Sequence, residues 1–169
     1  RRKVSKLIHI STAAVFYKWG DQLGINESSP IGPTFVNEYA RSKYAAEQLV
    51  KNYEGTWCIL RPRAVFGPGD TVLFPRILRA ARKGKLIWID CPNPPAMGDL
   101  VFIDSLSDYL LRASLDPKVV GEINLTNNSP VEIQAFLAKV FAQLELPNPK
   151  RRISRKNAWI IATLFEWIY

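Results

Sequence analysis

Tyr39 and Lys43 stand four residues apart, a spacing that places both side chains on one face of a helix. A free phenol titrates near about 10 and is a poor base at neutral pH. A neighbouring ammonium favours the phenolate, so the two together can serve as a general acid/base toward an alcohol or a ketone. Tyr and Lys at this spacing also occur by chance on many helices, so the pair needs support from its surroundings. The other reactive side chains supply none. His9, the single histidine, lies in an apolar, strand-like run with no companion ligands. Cys58 and Cys91 are far apart and form no Cys-x-x-Cys. Cys58, inside Trp57-Cys58-Ile59-Leu60, reads as a small buried hydrophobe. Neither a disulfide nor a metal site is expected, which suits a reducing, cytoplasmic setting.

The pair has to be held by secondary structure, and the sequence suggests which. Val4 to Ile10 reads as a buried strand ending at Ser11-Thr12. Tyr17 to Thr34 is rich in Gly, Pro, Asn and Ser and reads as a loop. Asn37 can cap a helix running to about Asn52, with Ala40, Tyr44 and Leu49 facing inward. A second strand spans Thr56 to Leu60 and is expected to stop at Arg61-Pro62, because proline donates no ladder hydrogen bond. After a turn at Gly67-Pro68-Gly69-Asp70, helices are expected over 73–83, over 104–115 capped by Asp104 or Ser105, and from Pro130 to Leu144 capped by Ser129. Short strands are expected at 86–89, 100–103 and 122–125. Strands alternating with helices imply an α/β fold with a mainly parallel sheet.

Four segments carry a family resemblance. His9-Ile10-Ser11-Thr12-Ala13-Ala14-Val15-Phe16 resembles the strand end that supplies a catalytic hydroxyl in short-chain dehydrogenases/reductases. Asn37 to Glu47 resembles their active-site helix. Leu60 to Asp70 and Asp99 to Asp104 resemble later segments of the extended subclass. Order and spacing agree, and the resemblance covers nearly the whole chain. Within that subclass it is similar to the NAD-dependent epimerase/dehydratase group, and Arg61-Pro62-Arg63-Ala64 leans toward its 3β-hydroxysteroid-dehydrogenase-like branch. The implied fold is the C-terminal part of a Rossmann-like, doubly wound parallel sheet plus a small substrate-binding region. Residues 1–70 would be the second half of the cofactor domain and 71–169 mostly the substrate-binding region.

The resemblance also implies roles. Thr12 aligns with the hydroxyl that bonds the reacting oxygen, with Ser11 as its fallback and as a cofactor contact. Tyr39 aligns with the acid/base. Lys43 aligns with the residue that supports the tyrosine and binds the nicotinamide ribose. Pro62 and Val65 fall at the nicotinamide end of NAD or NADP, with NAD favoured. Arg63, Ala64, Phe74 and Arg76 fall on the substrate side. The implied chemistry is hydride transfer from a hydroxyl-bearing carbon of a nucleotide sugar, steroid or similar substrate, with Tyr39 accepting the proton. No Gly-x-x-Gly-x-x-Gly cradle for the pyrophosphate occurs in these residues. The expectation is therefore an incomplete chain, inactive alone, or else a degenerate relative kept as a binding or regulatory module.

The 169 residues carry a formal charge of +8, densest at Lys150-Arg151-Arg152 and Arg155-Lys156 ahead of an aromatic, apolar stretch from Ala158 to Ile168. This reads as a solvated face plus a packing helix, with a membrane-surface or partner-binding helix as the sharper alternative. A basic nucleic-acid binder ranks last, because no nucleic-acid motif accompanies the charge. No apolar run approaches the ~20 residues of a membrane span. The partners expected are a small-molecule substrate and, through sheet edges, a second copy in a homodimer.

Overall fold

The computed structural model describes residues 4–90 and 94–168. In chain order its strands are β1 (Lys6–Ile10), β2 (Thr56–Pro62), β3 (Ala64–Phe66), β4 (Trp88–Asp90), β5 (Met97–Gly98), β6 (Leu100–Phe102), β7 (Gly121–Leu125), β8 (Val131–Glu132) and β9 (Arg152–Ser154). Its helices are α1 (Glu38–Lys51), α2 (Phe74–Arg82), α3 (Ile103–Leu115), α4 (Ile133–Gln143) and α5 (Arg155–Ile168), with a 3-10 turn over Ala13–Phe16. The chain divides into two compact units. One comprises residues 1–68 and 99–129, the other 69–98 and 130–169. The chain thus passes between units three times, where the sequence suggested one boundary near residue 70.

The first unit is built on a parallel sheet in the order β1-β2-β7. Cys58, Leu60, Val101, Leu106, Ala113 and Leu125 form a buried cluster, with Ile8, Ile103 and Ile123 packed against it. Side chains alternate across a strand. Cys58 and Leu60 therefore face α3, while Ile59 and Arg61 face α1. Helices cover the sheet on both sides, as burial on both faces of a parallel sheet requires. Lys6 ties the edge strand to the end of α3, its ammonium donating to the carbonyls of Ala113 and Asp116. Beside this sheet, β3 pairs in parallel with β6. At the end of β3, Gly67 has φ of +136°, and a Cβ there would lie 2.6 Å from Cγ2 of Ile103. The turn needs glycine both for its backbone and for its closeness to α3.

β2 runs two residues past the expected stop. Successive residues of a strand point their N–H groups to opposite neighbours. Ser11 N–H reaches the Leu60 carbonyl at 2.7 Å and Arg63 N–H the Leu125 carbonyl at 2.9 Å. The N–H that Pro62 lacks faces the side where β1 has already ended, so the strand loses nothing by carrying it.

The second unit has its own cluster of Ala81, Trp88 and Phe141, with Ile77, Leu78 and Leu137 packed on it. Here β4 pairs in parallel with β9, and β5 pairs antiparallel with β8. Asp70 starts α2, its carboxylate accepting from the backbone N–H groups of Val72, Leu73 and Phe74 at 2.8 to 2.9 Å. Two helix starts differ from the sequence reading. α3 begins directly after β6, leaving Asp104 in its first turn rather than at its cap. The segment after Ser129 is strand β8, because Val131 and Glu132 pair with Gly98 and Met97, so α4 starts three residues later than the favourable Pro130 suggests. Cys91 lies outside the described residues. Among those described, no helix is long and apolar enough to cross a membrane, and no three His, Cys, Asp or Glu residues gather as a metal site would require.

Candidate active site

Helix α1 presents Tyr39, Lys43 and Glu47 at successive turns, and their burial is graded. Tyr39 is 54% exposed, Lys43 is half-buried and Glu47 is fully buried. Asn37 sets the start of the helix, its side chain accepting from Ala40 N–H at 2.8 Å. Ala40 and Val50 are the apolar residues that face inward. Tyr44 packs its ring 5.4 Å from that of Phe35. Leu49 is 75% exposed, against the sequence expectation, because the 3.6-residue period carries the buried stripe from Ala40 through Glu47 to Val50.

Two contacts fasten this stripe to the sheet. The Lys43 ammonium donates to the carbonyl of Ile10 at 3.0 Å, at the last residue of β1. One turn further along, Glu47 and Arg61 form a two-pronged ion pair at 2.9 and 2.7 Å, with neither side chain more than 1% exposed. The Arg61 guanidinium also lies 5.0 Å from the centre of the Phe16 ring, on the turn that follows Thr12. One side chain therefore joins α1, β2 and the hydroxyl-bearing turn. Composition hid this pair. Its signal was a charged residue in an otherwise apolar strand, which demands a partner once buried.

The hydroxyls lie at the strand end that Lys43 grips. Thr12 caps the 3-10 turn, its Oγ1 accepting from Ala14 N–H at 3.2 Å. That bond uses the oxygen as acceptor and leaves the Thr12 proton free to be given elsewhere. Ser11 is buried, and its Oγ has no hydrogen-bond partner among the described residues. His9 also faces α1. Burial pushes its imidazole below the ordinary value, the Lys43 ammonium adds to that, and the Glu47 carboxylate opposes it.

The remaining sequence candidates are distributed as follows. Pro62 is buried at the end of β2. Val65 packs its side chain on the core beside α3, and β3 around it pairs with β6. Ala64 is exposed. The Arg63 guanidinium donates to the Tyr17 hydroxyl at 2.7 Å and lies 5.2 Å from the centre of that ring. Phe74 and Arg76 belong to the second unit. There Phe74 meets Phe136 edge-on at 6.2 Å, and Arg76 is exposed on α2. The structure thus brings Ser11, Thr12, Tyr39, Lys43, Pro62, Arg63, Ala64 and Val65 into one unit, and Phe74 and Arg76 into the other.

Known proteins resemble this chain in sequence and in fold. Residues 1–155 match the 3-beta hydroxysteroid dehydrogenase/isomerase family. The chain is 30% identical to a 2-alkyl-3-oxoalkanoate reductase of Shewanella oneidensis, over 99% of this chain and 47% of the reductase. It is 29% identical to the sterol-4-alpha-carboxylate 3-dehydrogenase, decarboxylating, of Mus musculus, over 96% of this chain and 48% of that enzyme. In fold it resembles the UDP-glucuronic acid 4-epimerase of Bacillus cereus, solved in complex with NAD, with a TM-score of 0.72 at 22% identity over 89% of this chain and 50% of the epimerase. The chain spans about half the length of the curated relatives it matches. The extent of the family match, together with the α/β architecture and parallel strands, settles its kinship: the chain belongs to the 3-beta hydroxysteroid dehydrogenase/isomerase family, within the extended short-chain dehydrogenases/reductases.

Proposed function

We propose that the full-length protein is an NAD(P)-dependent oxidoreductase, NAD favoured, that interconverts a secondary alcohol and a ketone. The observation carrying this reading is the Lys43 bond to the Ile10 carbonyl, which holds the Tyr39 helix against the strand end bearing Ser11 and Thr12. Tyr39 exchanges the proton of the substrate hydroxyl. Thr12 donates its free proton to the same oxygen, fixing the orientation of the substrate. Lys43 spends one of its three protons on Ile10 and has two left for ribose hydroxyls. The buried, unpartnered Ser11 hydroxyl also suits a bound polar group. These residues fit the nicotinamide end of the cofactor, with the backbone from Pro62 to Val65 beside it. The cofactor, when bound, accepts or returns the hydride.

The names of two relatives support a reading of the substrate class. An oxoalkanoate with its ketone at position 3 and a sterol 4-carboxylate dehydrogenated at position 3 share one arrangement. In both, the oxygen-bearing carbon is attached to the carbon that carries the carboxylate. We read the substrate here as a β-hydroxy or β-oxo acid with a large apolar remainder.

The test is turnover by the full-length protein with NAD(P). Tyr39→Phe is expected to lower kcat by about 10³-fold while cofactor binding persists. Turnover surviving that change would remove Tyr39 from the acid/base role. Cofactor binding by the wild type without turnover on any hydroxy acid or sterol would favour a binding module instead.

A further inference from the structure

The two arginines that flank Pro62 at the end of β2 have opposite fates. Arg61 and Arg63 each lie against an aromatic ring of the turn after Thr12, Arg61 at 5.0 Å from Phe16 and Arg63 at 5.2 Å from Tyr17. Arg61 is buried and neutralised by Glu47. Arg63 reaches a solvent-accessible position, and among the described residues no carboxylate pairs with it. Two other cations on α1 are occupied: Arg41 pairs with Glu38, and Lys43 is on the Ile10 carbonyl.

Arg63 is nonetheless held in place. One guanidinium N–H goes to the Tyr17 hydroxyl at 2.7 Å, and its backbone N–H goes to the Leu125 carbonyl at 2.9 Å. Tyr17 is fixed in turn by its backbone bond to the Ala14 carbonyl at 3.0 Å. The arrangement leaves four guanidinium N–H donors, and it leaves the Tyr17 proton free, since that hydroxyl acts as an acceptor toward Arg63. A planar fork braced by a phenol suits two-pronged capture of a carboxylate. Its position agrees. Ser11 N–H bonds the Leu60 carbonyl, so Ser11 and Thr12 stand level with the last residues of β2, and Arg63 is the next residue past the strand. This is the carboxyl end of parallel strands, where open α/β sheets bind ligands.

Resting on the β-oxy acid reading above, we propose that Arg63, supported by Tyr17, binds the substrate carboxylate and sets the specificity for acids over neutral alcohols. The carboxylate lies two carbon–carbon bonds from the oxygen-bearing carbon, so a single anchor beside Thr12 orients the reacting carbon as well.

The experiment compares a 2-alkyl-3-hydroxy acid with its methyl ester, both oxidised with NAD(P)⁺ by the full-length protein. The wild type is expected to prefer the acid. Arg63→Ala should lower kcat/KM on the acid by about 100-fold and on the ester by no more than about threefold, with Arg63→Lys in between. Tyr17→Phe should lower the acid rate selectively by about tenfold, which covers the case of an Arg63 variant that fails to fold. Equal losses on acid and ester, or a wild type that uses both equally well, would overturn the assignment of Arg63 while leaving the hydride-transfer reading intact. A wild type that oxidises neither would overturn both.

Discussion

His9 is the residue whose surroundings translate most directly into a measurable dependence on pH. Its Nε2 is buried without a hydrogen-bond partner among the described residues. Burial is the main cause of its lowered pKa, reinforced by Lys43 and opposed by Glu47, both on the helix packed against it. A group whose folded pKa is depressed contributes stability that is present above its unfolded pKa and lost as the pH falls. The stability of the full-length protein should therefore be level just above the ordinary imidazole value of 6.5 and decline below it. That decline should begin before carboxylates near about 4 start to protonate. In His9→Leu, thermal melts between about pH 6.5 and 5 should lose this early limb and keep the later one. Parallel profiles for the two proteins would show that the imidazole titrates as it does in the unfolded chain.

At the scale of elements, the junction of α1 with β2 decides whether the catalytic groups meet. Replacing Arg61 by Met leaves the Glu47 carboxylate fully buried and uncompensated, at a cost of about 3 to 5 kcal/mol. The double change Glu47→Leu with Arg61→Met removes both charges and should cost clearly less than Arg61→Met alone. Urea unfolding of the full-length variants gives both values, and a double variant weaker than the single one would refute the coupling. This junction also shows what the sequence makes legible. The Asn37 cap and the Tyr39–Lys43 face are local, so the start of α1 and the pairing on it can be read from neighbours in the chain. The charge of Arg61 in an apolar run announces that a partner exists. The identity of Glu47 depends on how the helix rolls on the sheet, a property of no short segment. The misread start of α4 has the same origin. Pro130 is a good first helical residue, but Val131 and Glu132 pair with Met97 and Gly98 more than thirty residues earlier. Hydrogen bonding at that distance overrides local preference.

At the scale of the whole molecule, the sheet itself sets the final expectation. Its described strands run β1-β2-β7, so β1 and β7 each show one edge with no strand beside it. β1 is a run of Leu7, Ile8, His9 and Ile10, and among the described residues Lys43 donates to the carbonyl of its last residue, Ile10. Unpaired edges of this kind recruit other strands. The charges that usually protect an edge are spent elsewhere, since Lys6 is turned to the end of α3. On α5, Trp159, Ile160 and Ile161 are 63%, 41% and 46% exposed, a second apolar surface on the second unit. The 169-residue chain expressed by itself should therefore associate. Light scattering after size exclusion should give a mass above the 19.2 kDa of one copy, rising with concentration. Placing Lys at Ile8 would disrupt the α3 cluster, so the change is made at Leu7, half-buried on the opposite face, with a thermal melt to show that Leu7→Lys still folds. Leu7→Lys should shift the chain toward the monomer, whereas substituting Trp159 should do so only if α5 is the contact. A stable monomer of the unmodified chain at high concentration would show that the edges are protected by other means.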